Sequence, residues 1–190
     1  MPLTIAEVKT VSPFGFKSDK SWDELFAVAS AAGDIVSIHT DPRWGGSFDL
    51  IKKAKSLTEK PVLAKGIHAD ESDIAQAAAA GADFILVVGR VPVISQTITP
   101  EILAKCIIEP NTLAELVEFA KNLVITRMVW NARDLATGGM KTETFAQARA
   151  AFKGWLCQAS HISTIADIRE GADAVLVGEK LEEFVASMHK

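Results

Sequence analysis

A mixed α/β chain closed into a (β/α)8 barrel is the fold class this sequence predicts, on three observations. Strand-like and helix-like patterns alternate along the whole chain, with eight short apolar runs separated by helical stretches. A unit recurs: Gly81-Ala-Asp-Phe-Ile-Leu-Val-Val-Gly89 resembles Gly171-Ala-Asp-Ala-Val-Leu-Val-Gly178, with a weaker copy at Gly33-Asp-Ile-Val-Ser-Ile. Each copy follows a helical segment, so its glycine suits a left-handed helix end and its apolar run a strand. Finally, the runs are apolar throughout, as strands of a parallel sheet buried on both faces require.

In order, the strands are expected at Leu3–Lys9, Ile35–His39, Val62–Lys65, Phe84–Val88, Cys106–Glu109, Val124–Trp130, Trp155–Gln158 and Ala174–Val177. Helical stripes lie between them. Ser21–Ala32 carries Trp22, Leu25, Phe26 and Ala29 on one face, and Ser47–Leu57 carries Leu50, Ile51 and Ala54 behind a Ser47 cap. Asp70–Ala80 and Thr112–Lys121 follow, the second opening on a Thr112/Glu115 capping box. Thr142–Phe152, Thr164–Glu170 and Glu179–Met188 complete the set. Between Gly89 and Lys105, Pro92 and Pro100 leave room for only a short helix.

With 190 residues, the chain is short for such a barrel, which usually runs from about 200 residues upward. A minimal TIM barrel with shortened helices is therefore expected, as a single domain over residues 1–190; an open doubly wound sheet is the alternative. The formal net charge of -4 gives no reason to expect a nucleic-acid partner. No apolar run approaches a membrane span, and the opening residues lack the pattern of a secretory signal. Cytoplasmic localisation and no membrane partner are the expectations. Cys106 and Cys157 sit inside apolar runs and read as buried small hydrophobes, with no metal site implied.

In a barrel of this kind the chemistry sits at the carboxyl ends of the strands. Pro61-Val-Leu-Ala-Lys65 is an apolar run that ends on an ammonium group, for which a buried strand has no structural need. Strand 1 offers Glu7 and Lys9, which project the same way because side chains alternate along a strand. Strand 5 offers Glu109, strand 6 Asn131 and Arg133, strand 7 Ser160, and strand 8 Gly178 and Glu179. Two lysines, an arginine and two carboxylates on one rim suit proton transfer on an anionic substrate. Each has a plainer alternative. A lone Lys or Glu is a solvated rim residue, Asn111 a helix cap, Arg133 and Asp134 a turn ion pair, and Ser160 or Ser163 a cap. The loops after strands 7 and 8, with helices opening at Ser160–Ser163 and Gly178–Glu179, are candidates for a phosphate, as loops at those positions often are. His39, His68 and His189 read as incidental.

These motifs resemble the indole-3-glycerol phosphate synthase family. Ile5-Ala-Glu7-Val-Lys9-Thr-Val-Ser12-Pro13 is similar to the family's Glu-x-Lys-x-x-Ser-Pro-Ser, and Pro61-Val-Leu-Ala-Lys65 to its Pro-Val-Leu-x-Lys-Asp-Phe. Thr40-Asp-Pro-Arg-Trp44-Gly-Gly46-Ser47 resembles its segment after strand 2, and Ile108-Glu109-Pro-Asn111 its strand 5 end. Asn131-Ala-Arg133-Asp134-Leu135 is close to its Asn-x-Arg-Asp-Leu, the most specific match, and Ala174-Val-Leu-Val-Gly178-Glu179 resembles its last strand.

The resemblance implies closure of an indole ring on 1-(2-carboxyphenylamino)-1-deoxyribulose 5-phosphate, releasing carbon dioxide and water, in tryptophan biosynthesis. It implies Lys65 as general acid, Glu109 as proton acceptor, Lys9 as a further proton source, and Glu7 and Asn131 as positioning groups. Ser160, Gly178 and Glu179 would mark the phosphate site through their backbones, with Ser12 and Arg133 as further binding residues; His161, where the family has glycine, either faces the phosphate as a compensating cation or points to solvent. No cofactor is implied. A monomer or weak homo-oligomer is expected, with a partner from the tryptophan pathway as an option. A phosphosugar-binding or partner-subunit barrel of the same descent, without catalysis, is the alternative. The sequence departs from the family at Gly66-Ile67, which stand for Asp-Phe, and at Ala159-Ser160-His161, which stand for Glu-Ser-Gly. It also opens on strand 1, where the family carries an extra segment over the barrel mouth, so weaker cover of the aromatic end is expected.

Overall fold

In the computed structural model, which describes residues 1–188, eight parallel strands close into a barrel in sequence order. They are β1 (Leu3–Val8), β2 (Ile35–His39), β3 (Val62–Lys65), β4 (Phe84–Val88), β5 (Cys106–Glu109), β6 (Arg127–Asn131), β7 (Trp155–Ala159) and β8 (Ala174–Val177). The seven α-helices are α1 (Trp22–Ala32), α2 (Phe48–Leu57), α3 (Glu71–Ala79), α4 (Pro100–Leu103), α5 (Leu113–Phe119), α6 (Phe145–Ala151) and α7 (Leu181–Ser187). A single 3-10 turn, Ile165–Asp167, stands between β7 and β8. The barrel is thus minimal, as its length requires, and the open-sheet alternative falls because β1 pairs with β8.

Two apolar layers follow from strand alternation. Ile5, Ile35, Leu63, Leu86, Ile107, Val129, Cys157 and Leu176 fill the barrel interior. Their neighbours, among them Ala6, Val36, Val62, Ile85, Ile108, Met128, Leu156 and Val175, face the helices. Both cysteines are buried, and burial pushes the Cys106 thiol up to about 11. No described helix is long and apolar enough to cross a membrane.

The recurring aspartate has a structural reason. Asp34, Asp83 and Asp173, at the entries to β2, β4 and β8, each accept the backbone N–H of a residue at the base of the preceding strand. The donors are Thr4, Val62 and Leu156, and every distance is 2.8 Å. The repeat pins neighbouring strands together at the end away from the site. Gly81 and Gly171 hold left-handed backbones (φ 97° and 82°). Gly33 does not, having φ -85°. It is small because a Cβ there would come within 2.7 Å of the Ala6 Cβ.

Several helices are shorter than expected, each for a local reason. α6 begins at Phe145 because Thr144 caps it: its Oγ1 accepts the Gln147 N–H, and the Gln147 side chain takes the Thr144 N–H at 2.7 Å. The stretch after β7 makes only a 3-10 turn, because Asp167 Oδ2 accepts the Ser163 and Thr164 N–H groups. β6 starts at Arg127 because Asn122 closes a turn on Val124 and Ile125. Before α5, Glu115 reaches back to the Asn111 N–H at 2.7 Å, so Thr112 caps the helix without the reciprocal half of a capping box.

Candidate active site

The interior layers end, at the carboxyl face, in polar groups. Two residues beyond Ile5 is Glu7, beyond Leu63 is Lys65, beyond Ile107 is Glu109, and beyond Val129 is Asn131. Register sets them side by side: His39 pairs with Lys65 across β2 and β3, and Asn131 with Ala159 across β6 and β7. Glu7, Glu109, Asn131 and His39 are all buried. Burying charge is costly unless it is paired, so the pairs define the site.

Lys65 Nζ lies 2.5 Å from Glu7 Oε1, and His39 Nε2 lies 2.6 Å from the same oxygen. The His39 contact is close but poorly aligned as a hydrogen bond, and its Nδ1 has no partner among the described residues. Burial works to raise the Glu7 carboxyl, but Lys65, His39 and Lys9 together outweigh it and hold it well below the usual glutamate range. Burial, with Lys65 and Lys9 beside it, pushes His39 down against the pull of Glu7, so its ring is neutral near pH 7. Glu109 behaves in the opposite way to Glu7. Burial raises its carboxyl, and Lys65, the Asn131 amide and Lys141 only partly offset that. Two carboxylates on one layer therefore have proton affinities pushed apart, the arrangement expected of distinct proton-transfer roles.

Asn131 organises the second half. Its Nδ2 donates to Glu109 Oε1 at 2.9 Å, and its Oδ1 accepts from Ser160 Oγ at 2.7 Å and the Arg133 N–H at 3.0 Å. A cleft of about 210 Å³ opens above this layer. Phe14, Trp44 and Leu135 give it apolar walls, with Trp44 stacked on His39 (ring centroids 5.9 Å apart) and edge-on to Phe14. Lys9, Arg133, Ser160, His161, Gly178 and Glu179 give it a polar end. An annex of about 40 Å³ runs between Lys65 and Glu109, past Gly66 and Ile67.

Several expectations need correction here. Gly178 and Glu179 do not open the last helix, which starts at Leu181, and no α-helix follows Ser160–Ser163. The cleft's polar end is therefore built from loops, with Ser160 and His161 both in left-handed backbone (φ 69° and 54°). Glu179 also enters with its side chain: Oε1 lies 2.7 Å from Lys9 Nζ and 3.3 Å from Arg133 Nη1. Lastly, Ser12 does not line the cleft; its Oγ accepts the Phe14 N–H at 3.2 Å and shapes the loop after β1. Arg133 pairs with Glu179 and not with Asp134, so the turn ion pair is also absent.

His39 was legible by the rule that found Lys65, since Ile35-Val-Ser-Ile-His39 is another apolar run ending on an ionisable group. Taking it as incidental missed a direct neighbour of Glu7. His68 is buried too; its ring spans Thr40 Oγ1 (2.9 Å) and the Leu86 carbonyl (2.5 Å), a structural role. His189 lies outside the described residues. Lys141 carried no strand-end signal. It comes from the loop before α6, sits 4.6 Å from the centroid of the Trp130 ring and donates to the Pro110 carbonyl at 3.2 Å.

With the geometry in place, comparison with known proteins decides the family. The family model for indole-3-glycerol phosphate synthase matches residues 1–186. The chain belongs to the indole-3-glycerol phosphate synthase family. An indole-3-glycerol phosphate synthase from Nautilia profundicola is 32% identical over 139 residues, a match covering 70% of this chain and 48% of that protein. Against the Nautilia relative the match thus spans about half of its length. One from Halalkalibacterium halodurans is 31% identical over 195 residues, covering 93% of this chain and 75% of the relative. Among solved structures, a 3-hexulose-6-phosphate synthase matches with a TM-score of 0.66 at 19% identity, over 98% of this chain and 99% of its own. That likeness speaks to the barrel alone.

Proposed function

We propose that this barrel is an indole-3-glycerol phosphate synthase acting on 1-(2-carboxyphenylamino)-1-deoxyribulose 5-phosphate. The observation that carries the reading is the inward layer itself. It holds the Lys65 ammonium, fixed by Glu7, together with the Glu109 carboxylate, whose proton affinity burial raises. Family membership and a cleft with an apolar wall and a cationic end support the same substrate class.

In this reading the aromatic end lies against Phe14, Trp44 and Leu135, and the phosphorylated end points toward Lys9, Arg133, Ser160, His161 and Gly178. Lys65 gives a proton to the ribulose carbonyl oxygen as the new carbon–carbon bond forms, so that no free alkoxide develops. Carbon dioxide then leaves, and the electron pair it releases restores the aromatic ring. In the dehydration that follows, the new hydroxyl departs as water, taking a proton from Lys9, while Glu109 accepts the proton lost from the ring system. Glu7 and Asn131 hold Lys65 and Glu109 in place. The apolar walls strengthen each electrostatic interaction on the side they shield from water.

A second reading, a phosphosugar-binding barrel without catalysis, is favoured by one specific position. Ala159 ends β7 on the inward face with a methyl group, where the resembling motif has a carboxylate. The two readings separate on mixing the native protein with the substrate and following indole fluorescence. Appearance of the product supports the synthase. Binding of the substrate with no product supports the second reading.

A further inference from the structure

Every lysine and arginine that lines the cleft already has a carboxylate partner. Lys65 is held by Glu7, and the rim residue Lys180 by Glu183 at 2.6 Å. Lys9 and Arg133, which come from opposite sides of the mouth, converge on one oxygen, Glu179 Oε1. They are separated by 124 positions in the chain, yet one carboxylate bridges them, at 2.7 and 3.3 Å. Burial would raise the Glu179 carboxyl, but the Lys9 hydrogen bond and charge and the Arg133 charge outweigh it, so it stays ionised at neutral pH. The bridge is not locked into the core. Glu179 is 27% exposed, and it sits in the loop between β8 and α7, so its side chain can leave without disturbing an element.

A bridging carboxylate is what a bound anion would look like if the protein supplied it. Beside it, the N–H groups of His161 and Ile162 donate to no protein acceptor among the described residues. The Ser160–His161 backbone is held in left-handed conformations that non-glycine residues adopt only when the surroundings impose them.

We propose that Glu179 is an internal competitor for the anionic end of the ligand, and so the residue that sets how tightly this site takes a phosphate. This inference rests on the reading above for the class of ligand, a phosphorylated sugar. A phosphate must displace the Glu179 carboxylate from Lys9 and Arg133 before it can use them. Apparent affinity then falls by the fraction of time that the two cations are free. The effect is one of specificity as well as strength. A ligand end without charge loses nothing to Glu179, whereas a dianion meets both competition and repulsion.

Titration calorimetry with inorganic phosphate at pH 7 and low ionic strength tests the proposal on the intact protein. Glu179→Gln and Glu179→Ser are expected to bind phosphate about tenfold more tightly than the native protein, or better. Glu182→Gln, at an exposed carboxylate three positions further on that pairs with Lys20, removes the same charge outside this cleft and is expected to stay within about twofold of native. Native-like affinity in both Glu179 variants overturns the proposal. So does weaker binding in a folded Glu179→Gln protein, which would make the residue a scaffold for the cations. Equal tightening in Glu182→Gln overturns it as well, since bulk charge would then be the cause. The outcome is independent of turnover. Tighter phosphate binding in a protein that makes no indole product keeps Glu179 as the competitor and removes the synthase reading, and the converse result does the reverse.

Discussion

Lys65 Nζ and Glu7 Oε1 meet at 2.5 Å on the inward layer of the barrel, one contributed by β3 and the other by β1. β2 lies between them and places His39 against the same carboxylate. The pair is the fixed point from which the rest of the site is arranged, and it makes the function of Glu7 testable in two ways.

Glu7→Gln keeps the shape and removes the charge. The account predicts a fall in kcat of about 10² with a small change in KM, because Lys65 loses its anchor while the cleft is intact. The folded-state value of Glu7 lies below its ordinary 4.5. Its stabilising contribution is therefore fully present above pH 4.5 and is lost as pH falls through the depressed value. Denaturant melts across pH 2.5 to 5 should show a steeper loss of stability in the native protein than in Glu7→Gln. Parallel curves would remove Glu7 from the ionic network.

Glu109 should behave as the mirror image. Its value is raised above 4.5, so its ionised form is the costly one in the folded protein, and that cost appears as pH climbs past the unfolded value. Glu109→Gln is expected to raise Tm by about 3 °C at pH 7 while lowering kcat by about 10³. The acid limb of the native kcat profile should lie above the ordinary glutamate range and vanish in the variant. A variant that loses stability and keeps its rate would make Glu109 structural.

Gly178 matters for what it leaves out. A Cβ at this position would collide with the Glu7 carboxylate, which packs directly against the backbone leaving β8. Gly178→Ala is expected to displace Glu7 and with it Lys65, cutting kcat by about tenfold or more. Circular dichroism should remain native. An active Gly178→Ala protein would mean that Glu7 can move without consequence.

His39 is neutral near pH 7 and wedged between Glu7 and Trp44. Its folded value is depressed below 6.5, so protonation on acidification favours the unfolded chain, and stability falls as pH drops below 6.5. His39→Gln should flatten that part of the stability profile and shift Trp44 emission, with kcat lowered about tenfold. An unchanged stability profile between pH 5 and 7 would show that His39 carries no such charge penalty.

The barrel was legible because its signals are local. Apolar runs of four to six residues, each followed by a helical stripe, need no knowledge of distant partners. The strand-end rule likewise placed Lys65, Glu109 and Asn131, since alternation alone fixes which side chains face inward. What the chain order hides is pairing across the barrel. Ser12 and Glu179 both lie in matching motifs, yet one turns its hydroxyl to a backbone N–H and the other reaches across to two cations. His39 was overlooked for a different reason: a histidine at a strand end has no apparent role until Glu7 is seen 2.6 Å away. Loop residues such as Lys141 have no periodicity to be read at all. The stretches after β6 and β7 were overestimated as helix because Thr144 caps the first of them two residues late, and Asp167 takes the Thr164 N–H that the pattern assigned to helix.

The most direct measurement is a single-turnover comparison of the native protein and Lys65→Ala with the carboxyphenylamino-deoxyribulose phosphate, followed by indole fluorescence. The account predicts product formation by the native protein and a rate lower by about 10³ in Lys65→Ala, with substrate still bound. Equal rates in the two proteins would contradict the assignment of Lys65 as the acid that closes the ring.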